Sequence, residues 1–499
     1  MLNKSSSKLL KGTEKLLLTF VFFVGAAVAS FTIWQNISYY TDSYSPLECR
    51  TLFFSIIMLL VSMAAIYHLP IGHKKLLTIM IFLSLSFRII LTFSFNPPAV
   101  SDFSIMYEAA IKASAGDFSW METKYFQLWG YQIPFVLIQS LLLKIYPSIT
   151  TLKIANVFFM LCSNILIYCI LKHLVSVKAG LVGFALYMIY PQPMLLGPVL
   201  TNQHGAMAFF LLAVYLLLRG RNWKWPVFAA LAAVIGNLFR SDTAVILLAA
   251  GATAVFTAVR LCLRPGKQEK LLIRNITLFI LIYMTLNYGI SKAADASGFC
   301  KGGFKNNCPQ WKIVTGLNPN SSGQYSEENI DILDMENSSK TWGKTFEIAA
   351  GYLEDADLWK FFNEKMEIMW AYKETSLWTS GYLDKDSDFS GKITVGEFMN
   401  DITNYDKAVY LLIWILYLLC AIIKVYSSIR SPMKIKPGTL LINFIILANY
   451  AAYILIEVQM RYRYFMMPFL VIMAGAAVDA LLNNEKPTAH MPRAFHKTV

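Results

Sequence analysis

Charged residues are scarce in this chain of 499 amino acids: Lys, Arg, Asp and Glu together make up 15% of it, whereas hydrophobic residues make up 56%. Such a composition excludes a soluble globular protein, and its length excludes a protein with a single membrane anchor. The seven cysteines are scattered and lack the paired spacing of a zinc site. The first apolar run lacks a small-residue cleavage site, so we expect it to remain in the bilayer as a helix. What remains is an all-α polytopic membrane protein.

Arginine is absent from one long polar stretch, residues 292–406, which carries 11 lysines and 19 acidic residues and hence a net charge of −8. Because the whole chain has a net charge of +13, the remainder carries +21. Lys and Arg concentrate in the cytoplasmic loops of membrane proteins. The charge pattern therefore reports membrane orientation, and we expect no nucleic acid as a partner.

Apolar runs of about twenty residues are long enough to cross a bilayer. They predict twelve spans, near residues 16–37, 51–69, 76–95, 150–172, 179–195, 203–219, 226–239, 242–261, 271–290, 407–426, 438–457 and 464–482. With a cytoplasmic N-terminus, the basic clusters and the C-terminus fall on the cytoplasmic side. One further run, 133–146, is short and contains Lys144, and counting it as a crossing would invert every later basic loop. We predict a helix at the outer interface there.

These spans divide the chain into five parts. They are a cytoplasmic tail with two additional transmembrane helices (1–75), a transmembrane core with a first exterior loop at 96–131 (76–291), an exterior soluble module (292–406), C-terminal transmembrane helices (407–482) and a cytoplasmic tail (483–499). The predicted location is the plasma membrane, with both termini in the cytoplasm.

One acidic residue, Asp102, lies on the predicted exterior loop directly after the third span. It opens a predicted helix, so it is readable as an N-cap. An equally good interpretation is a catalytic carboxylate at the point where the chain leaves the membrane, and the two roles are compatible. Tyr107 follows one to two turns along the same helix and is a candidate for substrate binding.

Three arginines, Arg240, Arg461 and Arg463, are predicted to lie near the outer face, where a lipid phosphate would be found. Arginine is the preferred partner of phosphate oxygens. The alternatives are an ion pair of Arg240 with Asp242 and arginines that extend to the lipid headgroups. Glu457 lies just inside a span, where an unpaired carboxylate is costly. We therefore expect an arginine partner for it.

Three further features predict structural roles. Arg88 lies at membrane depth and is expected to pair with a buried acid. Residues 386–397 have the spacing of an EF-hand loop, with Gly391 at position six and Glu397 at position twelve; the alternative is a solvated acidic turn. A disulfide between Cys300 and Cys308 is plausible if this segment lies outside the cell.

Several motifs, each weak alone, occur in an order that resembles a known superfamily. They are Arg88 with 96–102 and Tyr107, 125–134 leading into 152–156, 190–191 with 200–203, 238–242, 315–317 with Gly323, 365–370, and 457–464. The set resembles the polyprenyl-phosphate-sugar-dependent glycosyltransferases of the GT-C superfamily. The nearest branch is glycosyltransferase family 39, with its bacterial relatives of protein O-mannosyltransferases and of the lipid A aminoarabinose transferase. The resemblance covers the chain from about residue 76.

The resemblance implies a GT-C fold in which Asp102 is the catalytic acidic residue of the first exterior loop. Phe103 follows it where the O-mannosyltransferases have a second acidic residue, so a protein acceptor is not specified. A sugar phosphate needs no acid, because phosphate departs as a stable anion, but the acceptor hydroxyl needs a general base.

We therefore expect transfer of a sugar from polyprenyl phosphate to a hydroxyl of a glycan, lipid or protein, with inversion, on the outer face of the membrane. A cell-envelope glycopolymer is the favoured acceptor. No cofactor and no metal is required by this chemistry. A lipid-linked glycan flippase or polymerase is the alternative, since it would share the topology and the arginines.

Overall fold

A computed structural model describes residues 4–263, 266–328, 338–371, 383, 393–432 and 435–483. In these ranges the regular secondary structure is helical, and strand-like pairing is limited to one isolated bridge between Trp129 and Asn306. The EF-hand-like segment falls largely outside them, since 386–392 are not among the described residues.

The chain forms nineteen α-helices within the described residues. In chain order they are α1 (Lys4–Ser43), α2 (Pro46–His68), α3 (His73–Ser94), α4 (Asp102–Ser114), α5 (Lys124–Leu128), α6 (Ile133–Ile145), α7 (Ile149–Leu174), α8 (Val177–Ile189), α9 (Pro191–Leu195), α10 (Gln203–Arg219), α11 (Lys224–Phe239), α12 (Thr243–Leu263), α13 (Lys267–Ala296), α14 (Pro309–Gly316), α15 (Ser338–Asp355), α16 (Leu358–Trp370), α17 (Val395–Arg430), α18 (Pro437–Leu455) and α19 (Met467–Leu482).

Eight of the described helices are long and apolar enough to cross a membrane: α1, α2, α3, α7, α12, α13, α17 and α18. They coincide with eight of the predicted spans, which supports an all-α multi-pass membrane protein. The other four predicted spans form shorter apolar helices, α8, α10, α11 and α19. These are at or below the roughly 17 residues needed to span a bilayer, so twelve crossings stay a prediction.

Polar side chains of α7 fix the loops that lead to the candidate site. Lys153 Nζ donates a hydrogen bond to Asn96 Oδ1 at 2.8 Å, just after α3 ends. Asn156 Nδ2 donates to the carbonyl oxygens of Gly197 and Val199 at 3.0 and 2.8 Å. Because buried amides and amines need partners, these contacts hold the loops after α3 and before α10 against α7.

The segment after α13 packs on the loop that contains α5. Asn307 donates from its backbone N–H to the carbonyl of Leu128 at 3.1 Å and from Nδ2 to the carbonyl of Gln127 at 2.6 Å. The indole rings of Trp129 and Trp311 pack with centroids 5.6 Å apart. As a result α14 lies beside the end of α5.

Arg88 on α3 is fully buried, but the predicted acidic partner is wrong. Its Nη1 donates to the side chain and the carbonyl of Ser84 at 2.5 and 3.3 Å, and its guanidinium lies 5.9 Å from the ring centre of Tyr187. None of the described carboxylates forms an ion pair with it. Hydroxyl groups and an aromatic ring therefore take the place of the expected carboxylate.

The structure also describes Cys300, Cys308 and Glu397 from residues 292–406. Cys300 and Cys308 are buried but not joined by a disulfide, and the Cys300 thiol donates to the carbonyl of Gly303 at 3.5 Å. Glu397, the twelfth position of the EF-hand-like spacing, caps α17, and calcium binding by 386–397 stays a prediction because most of that loop lies outside the described residues. The Glu397 carboxylate accepts from the N–H of Thr394 at 2.8 Å, and its own N–H donates to the Thr394 hydroxyl at 3.2 Å, which forms a capping box.

Candidate active site

The backbone directly before Asp102 is strained. Ser101 has φ 53° and ψ −138°, a conformation that residues other than glycine rarely adopt. Its carbonyl oxygen accepts hydrogen bonds from the N–H groups of Ser104 and Ile105 at 3.1 and 3.3 Å. Ser101 is the N-cap residue and Asp102 is the first residue of α4, so the prediction of Asp102 as the N-cap is wrong by one position. Strain of this kind concentrates at functional sites.

The Asp102 carboxylate meets Arg461, a residue 359 positions further along the chain. Arg461 Nη2 lies 3.4 Å from Asp102 Oδ2, and the Asp102 side chain is 37% exposed. The same guanidinium lies 5.2 Å from the ring centre of Phe103. Burial raises the pKa of the Tyr125 hydroxyl above its usual range, and the negative charge of Asp102 raises it further. Tyr125 therefore stays neutral beside the carboxylate.

A series of side-chain contacts leads from Arg461 to α14. Arg461 Nε donates to Gln459 Oε1 at 2.7 Å, and Gln459 Nε2 donates to Glu457 Oε1 at 2.5 Å. Lys312 Nζ on α14 donates to Glu457 Oε2 at 2.6 Å. The backbone carbonyl of Arg461 accepts from Gln203 Nε2 at 2.7 Å. Arg461 is thus held through both its side chain and its backbone.

The ring of Tyr462 lies at the centre of a group of cations, which we call the Tyr462 cluster. Its members are Arg240, Lys312 and Arg461, at 5.0, 5.5 and 5.7 Å from the ring centre. Cations at these distances are attracted by the electrons of an aromatic ring. The ring of Tyr453 stacks on Tyr462 at 6.0 Å and supports it. The cluster gathers positive charge next to Asp102.

Each cation of the cluster pairs with an acidic residue, but the three ion-pair distances differ. Arg240 pairs with Asp242 at 2.6 Å, as the sequence alternative predicted, and Lys312 pairs with Glu457 at 2.6 Å. Burial lowers the pKa of Lys312, but Tyr462 and Glu457 outweigh that effect and raise the pKa above its usual range. The contact between Arg461 and Asp102 is the longest of the three, so an incoming anion can displace it at the lowest cost.

A close approach of two backbones places Lys312 against Glu457. At Gly316, the last residue of α14, an added Cβ would lie 2.2 Å from the carbonyl carbon of Ile456 and 2.5 Å from the nitrogen of Glu457. The N–H of Glu457 donates to the carbonyl of Lys312 at 2.9 Å. Only glycine permits this packing, which makes α14 a part of the site.

Three predicted site residues lie in other surroundings. Tyr107 is half-buried on α4, and five positions turn a helix by about 140° relative to Asp102. Arg463 is fully buried and donates to the carbonyls of Met460 and Ala371 at 3.1 and 3.4 Å. Glu457 is 1% exposed, and its partner is Lys312 instead of an arginine. The predicted contact of these three residues with substrate stays a prediction.

The sequence offered a partial signal for the residues that were missed. Glu457, Gln459 and Arg461 alternate, and alternate residues of an extended backbone point to the same side. Gln459 is extended, with φ −143° and ψ 140°, so this spacing could have grouped the three side chains. Lys312 is one of the 11 lysines in residues 292–406, and nothing in the sequence singles it out.

A buried amine, Lys365 on α16, lies beneath α14. Its Nζ donates to the carbonyl of Gly316 and to the carbonyl of Ile454, the latter at 2.9 Å. At Gly323, where φ is +75°, an added Cβ would lie 2.8 Å from the Lys365 side chain. Lys365 thus joins α14, α16 and the end of α18.

Burial lowers the pKa of Lys365 to about 7, and this predicts a pH dependence of stability. Below pH 7 the amine is protonated in both the folded and the unfolded protein, and the buried charge destabilises the folded state. As pH rises from about 7 towards the unfolded value near 10.4, the folded state loses its proton first and stability increases. We measure the unfolding temperatures of wild type and Lys365→Met from about pH 6 to about pH 9.5. The unfolding temperature of wild type minus that of Lys365→Met should increase as the pH rises. A constant difference would contradict the prediction.

Two small pockets lie near the site. One is lined by Gln203, Arg240, Asp242 and Tyr464 together with Phe465 and apolar residues of α10. The other lies among α6, α7, α10 and α11. Its lining is mostly apolar: Phe135, Ile138, Leu142, Leu152, Ala155, Phe159, Leu200, Gly205 and Phe239, with Gln139, Asn156 and Thr201.

No model of a known protein family matches this chain, and no curated protein matches it. Among the described residues, no group of three or more His, Cys, Asp or Glu side chains is arranged to hold a metal ion.

Proposed function

We propose that this protein is a GT-C-type glycosyltransferase that uses a polyprenyl-phosphate sugar on the outer face of the plasma membrane. The observation that carries the proposal is the contact of Asp102 with Arg461 at the edge of the Tyr462 cluster. A partly exposed carboxylate can serve as a general base, and three cations nearby suit a phosphate leaving group. Both requirements of the reaction are met within one small region.

In the proposed reaction, Asp102 accepts the proton of an acceptor hydroxyl. The oxygen then forms a bond to the anomeric carbon as the bond from that carbon to the phosphate oxygen breaks. The electron pair leaves with the phosphate, whose charge Arg461 balances once Asp102 is protonated, with Lys312 and Arg240 close by. Attack from the face opposite the phosphate inverts the anomeric centre.

A lipid-linked donor would extend its hydrocarbon chain along α10. The pocket among α6, α7, α10 and α11 is small and mostly apolar, and it is lined by Thr201 and Gly205, which flank Gln203 in the sequence. Apolar side chains of this kind suit the hydrocarbon of a polyprenyl chain. The other pocket brings Arg240 to the same flank of α10. A phosphate at the Tyr462 cluster and a hydrocarbon chain along α10 would therefore belong to one molecule.

The decisive experiment is a comparison of cell-envelope glycans with and without the protein. We expect one sugar to disappear from an envelope glycopolymer and its polyprenyl-phosphate donor to accumulate on the outer leaflet. Accumulation on the inner leaflet would favour a flippase instead. Unchanged glycans and unchanged lipid-linked sugars would contradict both functions.

Phosphate recognition is testable without knowledge of the sugar. We expect Arg461→Gln to weaken the binding of polyprenyl phosphate to purified protein about tenfold or more, because a hydrogen bond to a charged group contributes about 1.5–3 kcal/mol. Binding is measured from the quenching of tryptophan fluorescence in detergent. The control is Lys301→Gln, which removes an exposed cation of the exterior segment. Equal affinity of the two variants would contradict the assignment of Arg461.

A further inference from the structure

The contacts behind Arg461 form an ordered series whose members differ in access to solvent. Lys312, Glu457, Gln459 and Arg461 follow one another at 2.6, 2.5 and 2.7 Å. Glu457 is 1% exposed, so a substrate that arrives from solvent cannot reach its carboxylate. Any effect of Glu457 on the site must pass through its neighbours.

The direction of each hydrogen bond in this series is fixed by chemistry. An ionised carboxylate only accepts hydrogen bonds, and both Lys312 and the NH2 group of Gln459 donate to Glu457. The amide oxygen of Gln459 is therefore the atom turned towards Arg461, whose Nε can only donate. The charge of Glu457 thus determines the orientation of the Gln459 amide.

This orientation has a consequence for the guanidinium. With Nε bonded to Gln459 and the Arg461 carbonyl bonded to Gln203, the plane of the guanidinium is held at its inner edge and at its backbone. Its Nη2 then faces Asp102 at 3.4 Å. Without the Gln459 acceptor, the long arginine side chain regains rotamer freedom and its terminal nitrogens lose their direction.

We propose that Glu457 and Gln459 are positioning residues that orient Arg461 between Asp102 and the phosphate of the donor. This inference rests on the proposed glycosyltransferase function. Lys312 has a second role in it, because it supplies the counter-charge that a buried carboxylate requires. The segment that contains α14 therefore contributes a residue to the site.

The test uses the full-length protein in cells that lack the native gene, with the sugar lost in those cells as the readout. We expect Gln459→Leu to lower the incorporation of that sugar on the order of 10²-fold, the effect of a displacement of about 1 Å at a reacting centre. The unfolding temperature of the purified variant should equal that of wild type. A loss of transfer without a loss of stability separates positioning from a structural role.

An exchange of the two side chains sharpens the test. The double variant Glu457→Gln with Gln459→Glu keeps the net charge and the number of acceptors, and it places a carboxylate where the amide oxygen of Gln459 faces Arg461 in the wild type. We expect this double variant to transfer at least tenfold more sugar than Gln459→Leu. Glu457→Gln alone and Gln459→Glu alone should each transfer less than the double variant.

Two results would overturn the inference: wild-type transfer by Gln459→Leu, or an exchange variant that transfers no more than the better of its two single variants. Failure of the underlying function gives a different pattern. In that case no envelope sugar responds to loss of the protein or to Asp102→Asn. A sugar that responds to Asp102→Asn but not to Gln459→Leu would refute the positioning role alone.

Discussion

Replacement of Asp102 by Asn should lower sugar transfer on the order of 10²–10⁴-fold, the contribution of a general base. The amide has nearly the shape of the carboxylate but cannot accept the proton of an acceptor hydroxyl. Stability should change little, because the side chain is 37% exposed and its ion pair with Arg461 is 3.4 Å long. Transfer is measured as incorporation of the responsive envelope sugar, and insertion as the amount of folded protein in membranes.

Glu108→Gln is the matched control for this variant. Glu108 lies on the same helix, α4, is exposed, and carries the same charge. We expect it to transfer sugar at the wild-type rate. The Asp102→Asn protein should also retain affinity for polyprenyl phosphate, because the cations that would bind the phosphate are unchanged. Full transfer by Asp102→Asn would refute the role of the carboxylate as base.

Hydropathy predicted the long helices well, but it could not separate lipid contact from burial in protein. α8 and α19 are apolar on nearly all sides, and in the structure almost every residue of both helices is buried. A helix that is hydrophobic all round is suited to a protein interior as much as to a bilayer. Periodicity alone gives the same signal in both environments, so the number of crossings could not be obtained from the sequence.

The candidate site was predictable in part. Asp102, Arg240 and Arg461 followed from residue chemistry and predicted position, because charged groups at a membrane surface are few. The partners could not be predicted, since Glu457 and Lys312 are separated by 145 positions and are joined only by packing at Gly316. The strain at Ser101 was equally hidden, because serine has no preference for positive φ.

The second large effect is expected at the opposite end of the bundle, in a buried ion pair between α1 and α12. Glu14 Oε1 lies 2.6 Å from Arg260 Nε, and both side chains are 4% exposed. The two terminal nitrogens of Arg260 donate to the carbonyls of Ile435 and Pro432, both at 2.7 Å. Every nitrogen of the guanidinium thus has a partner, and one cation joins α1, α12 and the connection between α17 and α18.

Glu14→Ala should destabilise the protein by about 3–5 kcal/mol, the cost of leaving a buried charge without its partner. The measurement is the midpoint of unfolding in mixed micelles, together with the amount of folded protein in membranes. The double variant Glu14→Ala with Arg260→Met should be more stable than Glu14→Ala alone, because the unpaired cation is then absent. Double-variant stability equal to or below that of Glu14→Ala would mean that the carbonyl contacts of Arg260, not its charge pairing, hold this end of the bundle together.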